Sequence, residues 1–410
     1  MLKRATGRFV VWIGVPLAGW LWLVGAAEVA RGEYPVTPSG GAELAYGVFR
    51  MTPSLTVSER YDNNIFYSSR TKVEDFATDV APRVLITSEG RAVDVSANLG
   101  GMWTQYAENP KLSYFSSQGG LALKADTLMG RAVRGLGLTV TENYYYTKDF
   151  PVFAPLGGPN PIATGGIQTN RVTTFGNVAG ATASYVLSPR AKVLGGYTHS
   201  QLQFSGGTTT FISSTTDAWT GGTEYALTPI TTLLSDYFYQ RFSFRGDGTV
   251  ETHSADVGAR HQYREDLTVD GRVGGTYLPA FDRLTYNFNV GVIKKFPATE
   301  VSGRYLRSVT NTGGLAPLVS VQNVAQLLVT HRLTRAFTAT LAGNYATTKT
   351  IGSSTVDLKS YSVIPGLTYT LTRWATLFAS YSYFKQDVAG QVGFSVNRTQ
   401  ATIGLTVTWQ

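Results

Sequence analysis

From Met51 onward, apolar residues occupy every second position in runs separated by short polar segments. In one run Tyr361, Val363, Pro365, Leu367, Tyr369 and Leu371 share a parity, while Ser360, Ser362, Gly366, Thr368 and Thr370 fill the other. The same split sets Ala325, Leu327 and Val329 against Gln326, Thr330 and Arg332, and Val269, Val273 and Tyr277 against Thr268, Asp270, Arg272 and Thr276. A period of two turns successive side chains to opposite faces, so each run is predicted as a strand with one apolar and one polar side.

A soluble sandwich would alternate in the same way, hiding its apolar face in a core. Here the polar parity is rich in Gly, Ser, Thr and Asn with occasional Arg, as a water-filled lumen requires, and the apolar parity keeps ending in Tyr, Phe or Trp. Such terminal aromatics suit the two membrane interfaces. Short turns punctuate the pattern at Leu187-Ser188-Pro189-Arg190, Leu227-Thr228-Pro229-Ile230, Arg264-Glu265-Asp266, Phe296-Pro297-Ala298, Leu333-Thr334-Arg335 and Leu371-Thr372-Arg373. Between them lie longer loops of Gly, Ser and Thr. Earlier turns near Glu89-Gly90 and Leu128-Met129 bring the short turns to eight, and hence the hairpins to nine. The expected fold is all-β: a transmembrane antiparallel up-and-down β-barrel over residues 51–410, with 18 strands, or 16, and both ends at the rim of the short turns. Closure follows from the solvent, because an unpaired edge in hydrocarbon costs several kcal/mol per polar group.

The last run, Ala401, Ile403, Leu405, Val407 and Trp409 with Thr402, Gly404, Thr406 and Thr408 between, resembles the C-terminal strand signal read by the barrel assembly machinery. Its aromatic residue is penultimate where the commonest form has it last. Trp409 is the expected assembly signal and that machinery an expected partner.

At the N-terminus, Lys3, Arg4 and Arg8 precede an apolar stretch from Phe9 to Ala27 that ends in small residues. This layout predicts a secretory signal peptide over 1–27, followed by a periplasmic linker over 28–50. The expected location is the outer membrane of a Gram-negative bacterium, with membrane lipid and lipopolysaccharide as partners. A mean hydropathy of −0.04 is too polar for a bundle of membrane helices. With no cysteine, the exported chain must rely on burial and hydrogen bonding alone. The formal charge of +8 drops by three when Lys3, Arg4 and Arg8 leave, and no basic block suggests nucleic acid.

The most distinctive segment is Tyr61-Asp62-Asn63-Asn64-Ile65-Phe66, followed by Asp75-Phe76 and by Asp79-Val80-Ala81-Pro82. It resembles the opening of the outer-membrane barrels of exopolysaccharide and exosortase loci, the type-two family of β-barrel porins, and the hairpin layout of residues 50–410 extends the likeness. The resemblance implies a part in exporting a secreted polysaccharide, together with a periplasmic polysaccharide-export protein. Read from chemistry alone, Asp62, Asn63 and Asn64 are residues that cap a strand-to-loop transition, since their side chains bond local backbone.

Taking the polar parity as inward places Arg60, Arg83, Lys192, Arg260, Arg264, Arg272, Arg304, Arg332 and Arg398 along the passage, faced by Asp94, Glu224, Asp236, Asp256 and Asp270. Two readings remain open: a mildly basic wall suited to an anionic polysaccharide, or cations that pair with these acids and brace the wall. The Gly- and Pro-rich loop from Lys148 to Asn170 is a candidate constriction or lid, or else a surface loop. Tyr144, Tyr145, Tyr146, Tyr237, Phe238 and Tyr239 are either sugar-stacking platforms or girdle.

No catalytic, metal or cofactor site is expected. His199-Ser200 and His253-Ser254 are neighbours on strands, so their side chains point to opposite faces and cannot form a nucleophile–base pair. The functional expectation is an outer-membrane channel that passes or assists export of an exopolysaccharide. Its alternatives are a general or anion-preferring diffusion porin and a closed structural or adhesive barrel.

Overall fold

A computed structural model describes residues 44–46, 48–90, 92–149, 172–205, 211–311, 318–352, 357–389 and 394–409. The expected signal peptide, the linker up to residue 43 and positions 150–170 of the long loop lie outside these residues.

A three-residue strand, β1 (Leu44–Tyr46), precedes the barrel proper. The barrel begins at β2 (Phe49–Asp62), two residues ahead of the predicted start, and continues through β3 (Asp75–Glu89), β4 (Asp94–Tyr106), β5 (Tyr114–Lys124), β6 (Leu136–Thr147) and β7 (Thr173–Ser188). Next come β8 (Ala191–Ser205), β9 (Ser214–Thr228), β10 (Thr231–Phe244), β11 (Gly248–Arg264), β12 (Leu267–Leu278) and β13 (Arg283–Lys295). The circuit is completed by β14 (Thr299–Asn311), β15 (Val319–Arg332), β16 (Phe337–Thr350), β17 (Asp357–Thr372), β18 (Ala375–Ala389) and β19 (Phe394–Thr408). Each strand pairs antiparallel with its sequence neighbours, and β19 closes the ring on β2 with Gln400 to Thr408 opposite Asp62 to Ser54. The result is a closed barrel of eighteen strands, β2 to β19, whose backbone polar groups are paired around the circumference as hydrocarbon demands.

β2 extends past the end of β19, and β1 pairs with that overhang, Leu44 opposite Met51 and Tyr46 opposite Phe49. One strand carries a mid-run proline: Pro365 lies opposite Leu341 of β16, but the β17–β18 register passes from Val363/Tyr383 to Gly366/Ser380. A residue without an N–H supports one neighbour and interrupts the other.

The short turns have a common chemistry. Ser188 Oγ accepts the backbone N–H of Arg190 and Ala191, at 3.3 and 3.1 Å. Thr334 Oγ1 does the same for Ala336 and Phe337, while Thr228 and Thr372 accept from Ile230 and Trp374. The recurring Leu-Ser/Thr pair therefore marks where the chain reverses: the hydroxyl takes up N–H groups that leave the ladder. The turn near Leu128 is instead a helix, α1 (Asp126–Ala132). Its acidic first residue and Arg131 near its end suit the helix dipole, and Leu128 N–H donates to Ala92 O.

Parity and register fix which side chains face the lumen. Ser58, Arg60 and Asp62 on β2 are buried, and their partners Asp79, Ala77 and Asp75 on β3 share that inner face. The other parity is apolar and exposed, for example Leu284 at 73 % and Ile403 at 62 %. That is the inverse of a soluble fold and the pattern of a barrel whose outer wall meets lipid.

Candidate channel constriction

The loop between β2 and β3, which carries the Asn63-Asn64-Ile65-Phe66 part of the motif, folds into the mouth of the barrel. Ile65 is fully buried against Ala77, Tyr106 and Tyr114, all on the inner faces of β3, β4 and β5. Tyr67 packs instead on Ala346, Phe384 and Val396, on the inner faces of β16, β18 and β19. The loop thus leans on two separate arcs of wall. Its shape is held locally: Asn64 Nδ2 donates to Ser68 O and Asn397 O at 2.9 and 3.0 Å, and Asn64 Oδ1 accepts the N–H of Ser68. Tyr67 has φ 56°, a left-handed conformation uncommon for an aromatic residue, and its N–H donates to Asn64 O at 3.0 Å. Burial pushes the Tyr67 phenol well above its ordinary range, so it stays protonated.

Beneath the loop lies a lattice of ion pairs. Asp62 is fully buried and accepts from Arg398 Nε at 3.0 Å, from Gln400 Nε2 at 3.1 Å and from the Asn64 N–H at 3.0 Å. Arg60 Nε donates to Asp79 Oδ2 at 2.9 Å, and Thr104 Oγ1 donates to the other oxygen of Asp79 at 2.6 Å. Asp149, at the root of the long loop, joins them: it accepts from the Tyr114 hydroxyl at 2.8 Å and lies 3.9 Å from Arg398 Nη2. Two guanidinium groups are therefore held among three carboxylates. On the far side of the ring Arg272 Nε is 2.8 Å from Asp236, and Asp256 accepts from Asn287 at 3.2 Å. Arg304 lies 3.5 Å from Asp270.

Of the cations assigned to the lumen, Arg60, Arg83, Lys192, Arg260, Arg272, Arg304, Arg332 and Arg398 share the inner parity by register. Arg264 differs, because a bulge beyond Gln262 sets it opposite Leu267, exposed at the short-turn rim. The five acids expected to face them, Asp94, Glu224, Asp236, Asp256 and Asp270, are on inner positions too. Parity alone did not single out Asp62, Asp79 and Asp149 as partners of Arg60 and Arg398. A signal existed in the shared parity of Arg60 and Asp62.

Tyr61 faces outward, with its ring 5.3 Å from Phe76 and its hydroxyl donated to Glu74. Phe66 is exposed, and Asn63 Oδ1 accepts the N–H of Thr399 across the junction of first and last strands. Tyr144, Tyr146, Tyr237 and Tyr239 are also on the outer wall, whereas Tyr145 and Phe238 are inside and buried. The outer tyrosines belong to a girdle in which Trp219 stacks on Tyr197 and Tyr239 at 4.7 and 5.2 Å. His199 bonds Asp217 and His253 bonds the Tyr237 hydroxyl, both at 2.8 Å, on outward-facing positions, with Ser200 and Ser254 on the inner face. Trp409 has an exposed ring, and its backbone N–H donates to Pro53 O at 2.9 Å.

A closed barrel with a loop folded into its mouth is the architecture of a pore, and comparison with known families agrees. The family model described as "Putative beta-barrel porin 2" matches residues 35–144 and 294–409, more than half of the chain. The chain belongs to this porin family. It is therefore an outer-membrane β-barrel porin of a Gram-negative bacterium. No curated protein sequence matches it. Among solved structures, this porin is similar to the outer membrane protein OpdK of Pseudomonas aeruginosa, with 10 % identity, TM-score 0.46, and coverage of 88 % of this chain and 99 % of that one. OccAB4 of Acinetobacter baumannii is similar too, with 11 % identity, TM-score 0.46, and coverage of 90 % and 100 %. The matched segments hold β2 to β5, most of β6, and β14 to β19, and so include both the inward loop and the strands it leans on.

Proposed function

We propose that this porin is a diffusion channel for small hydrophilic solutes, with the β2–β3 loop as its constriction. The observation that carries the reading is the seating of Ile65 and Tyr67 on the inner wall on both sides of the β19–β2 seam, which puts the loop inside the barrel mouth. The pairing of Arg60, Arg272, Arg304 and Arg398 with carboxylates favours the bracing role of the lumen cations over an anion filter. Expected selectivity between small anions and cations is therefore weak. Polysaccharide export, expected from the resemblance, gains no support from the comparisons, so the diffusion-porin alternative takes its place. The periplasmic export partner and the anionic polysaccharide leave the reading with it.

Planar-bilayer recordings of the purified barrel test this. A steady open conductance, with a reversal potential near zero in a salt gradient, is the expected result. A silent barrel would favour the closed structural reading, and one that conducts only after removal of residues 150–171 would return the gated export reading.

A further inference from the structure

The short-turn rim repeatedly pairs an outward apolar side chain with a cation. Leu187 stands just before Arg190, Leu333 before Arg335, and Leu371 and Trp374 on either side of Arg373; all of these side chains are exposed. In the β13–β14 turn Phe296 is also exposed, and Lys294 Nζ sits 5.3 Å from the centre of its ring. The acids of this rim are partly engaged: Asp266 bonds Lys294, which holds its carboxyl below the usual range, and Asp126 lies 3.5 Å from Lys124. Among the described residues the opposite rim also sets a cation beside an exposed apolar side chain, Arg283 next to Leu284, but it matches its cations with acids: Arg245 is followed two residues later by Asp247, Lys349 lies 3.8 Å from Asp357 and Lys385 lies 3.5 Å from Asp387.

We infer that the short-turn rim is a binding collar for the phosphate head groups of anionic phospholipid in the periplasm-facing leaflet. Short turns are on the periplasmic side of such barrels. The leucine, tryptophan or phenylalanine of each turn marks the edge of the hydrocarbon, because an exposed apolar side chain is stable there. A strand advances about 3.3 Å per residue, so a cation one to three residues further on reaches phosphate depth. Long basic side chains extend their stems along apolar surface and their charges to the interface. Attraction between a basic cluster and an anionic leaflet then supplies the specificity. The inference rests on the barrel's place in the membrane and not on what the lumen passes, so a silent pore leaves it standing.

The test uses the whole exported barrel in lipid nanodiscs of mixed phosphatidylcholine and phosphatidylglycerol, released for native mass spectrometry. Retained lipid is expected to be enriched several-fold in phosphatidylglycerol over the bulk mixture. Enrichment should fall towards the bulk ratio in Arg190→Gln/Arg335→Gln/Arg373→Gln and persist in the loop control Arg70→Gln/Lys111→Gln/Arg245→Gln. If the triple variant does not fold, the three single variants are measured, each with a partial loss expected. Enrichment that is absent in the parent protein, equal in rim and loop variants, or abolished by millimolar inorganic phosphate would overturn the collar. The last outcome would mean a site for free anions.

Discussion

Asp62 and Arg398 are 336 residues apart in the chain, yet Arg398 Nε donates to the buried Asp62 carboxylate at 3.0 Å. They stand on the first and last strands of the barrel, so this pair spans the one junction that no turn connects. Asn63 and Asn64 add bonds to the backbone of Thr399 and Asn397 across the same seam. The Asp62-Asn63-Asn64 segment is thus a clasp at the closure point as well as the root of the inward loop.

Breaking the clasp from one side should be costly. Arg398→Met leaves the buried Asp62 to share Arg60, whose Nη1 is 3.7 Å away, with Asp79, and losing the closer cation of a buried pair destabilises by about 3 to 5 kcal/mol in comparable cases. The expected result is a marked fall in the urea midpoint of the folded barrel, followed by its faster migration in unheated gels. Asp62→Asn combined with Arg398→Gln should recover part of the loss, because the buried carboxylate is removed together with its closest cation. Equal losses for the double and single variants would show that the charges are not coupled.

Widening the constriction should raise conductance. Tyr67→Ala removes the ring that rests on Phe384, 5.9 Å between centres, without touching the clasp. Single-channel current should increase with the barrel still folded. An unchanged current would place the narrowest point elsewhere.

Two glycines permit the close approach of β11 and β12. A Cβ on Gly274 would lie 2.0 Å from Ala255 O, and one on Gly258 would lie 2.0 Å from Gly271 O. Because both obstacles are backbone, neither can give way. Gly274→Ala should lower the yield of folded barrel sharply, while Gly343→Ala, where a Cβ meets nothing within 4 Å, should not. Similar yields of the two would show that the ladder relaxes.

The turn hydroxyls should each contribute modestly. Thr334→Ala leaves the N–H groups of Ala336 and Phe337 to water, and a loss of about 0.5 to 1.5 kcal/mol is expected per bond of this kind. Urea midpoints of Thr334→Ala and Thr334→Ser check it, since serine retains the acceptor.

The Lys294–Asp266 pair has a pH signature. The lysine depresses the Asp266 carboxyl, so its contribution is present above the ordinary carboxylate value of about 3.9 and is lost as pH falls through the depressed one. Lys294→Gln should therefore be less stable than the parent near neutrality and equal to it in strong acid. A difference that persists in acid would point to lost packing on Phe296 instead.

The strands, their sidedness and the eight reversals were legible because each rests on local information. Alternation at Tyr361 to Leu371 sets a face without reference to any other strand. Leu333-Thr334 carries its own turn chemistry. Less local outcomes escaped: seven residues near Leu128 coil into a helix, and the bulge after Gln262 takes Arg264 off the inner wall. The tyrosine triplet shows both sides of this, since parity must send Tyr145 one way and its neighbours the other, but not which way is solvent.

What the sequence by itself determined is therefore a two-faced ribbon of strands with its reversals, because the backbone geometry that alternates side chains acts within a few residues. Only the tertiary structure decided that Asp62 meets Arg398, that Ile65 and Tyr67 turn inward, and that the motif closes the ring. Those contacts depend on register summed over eighteen strands, and no short stretch of chain holds that sum.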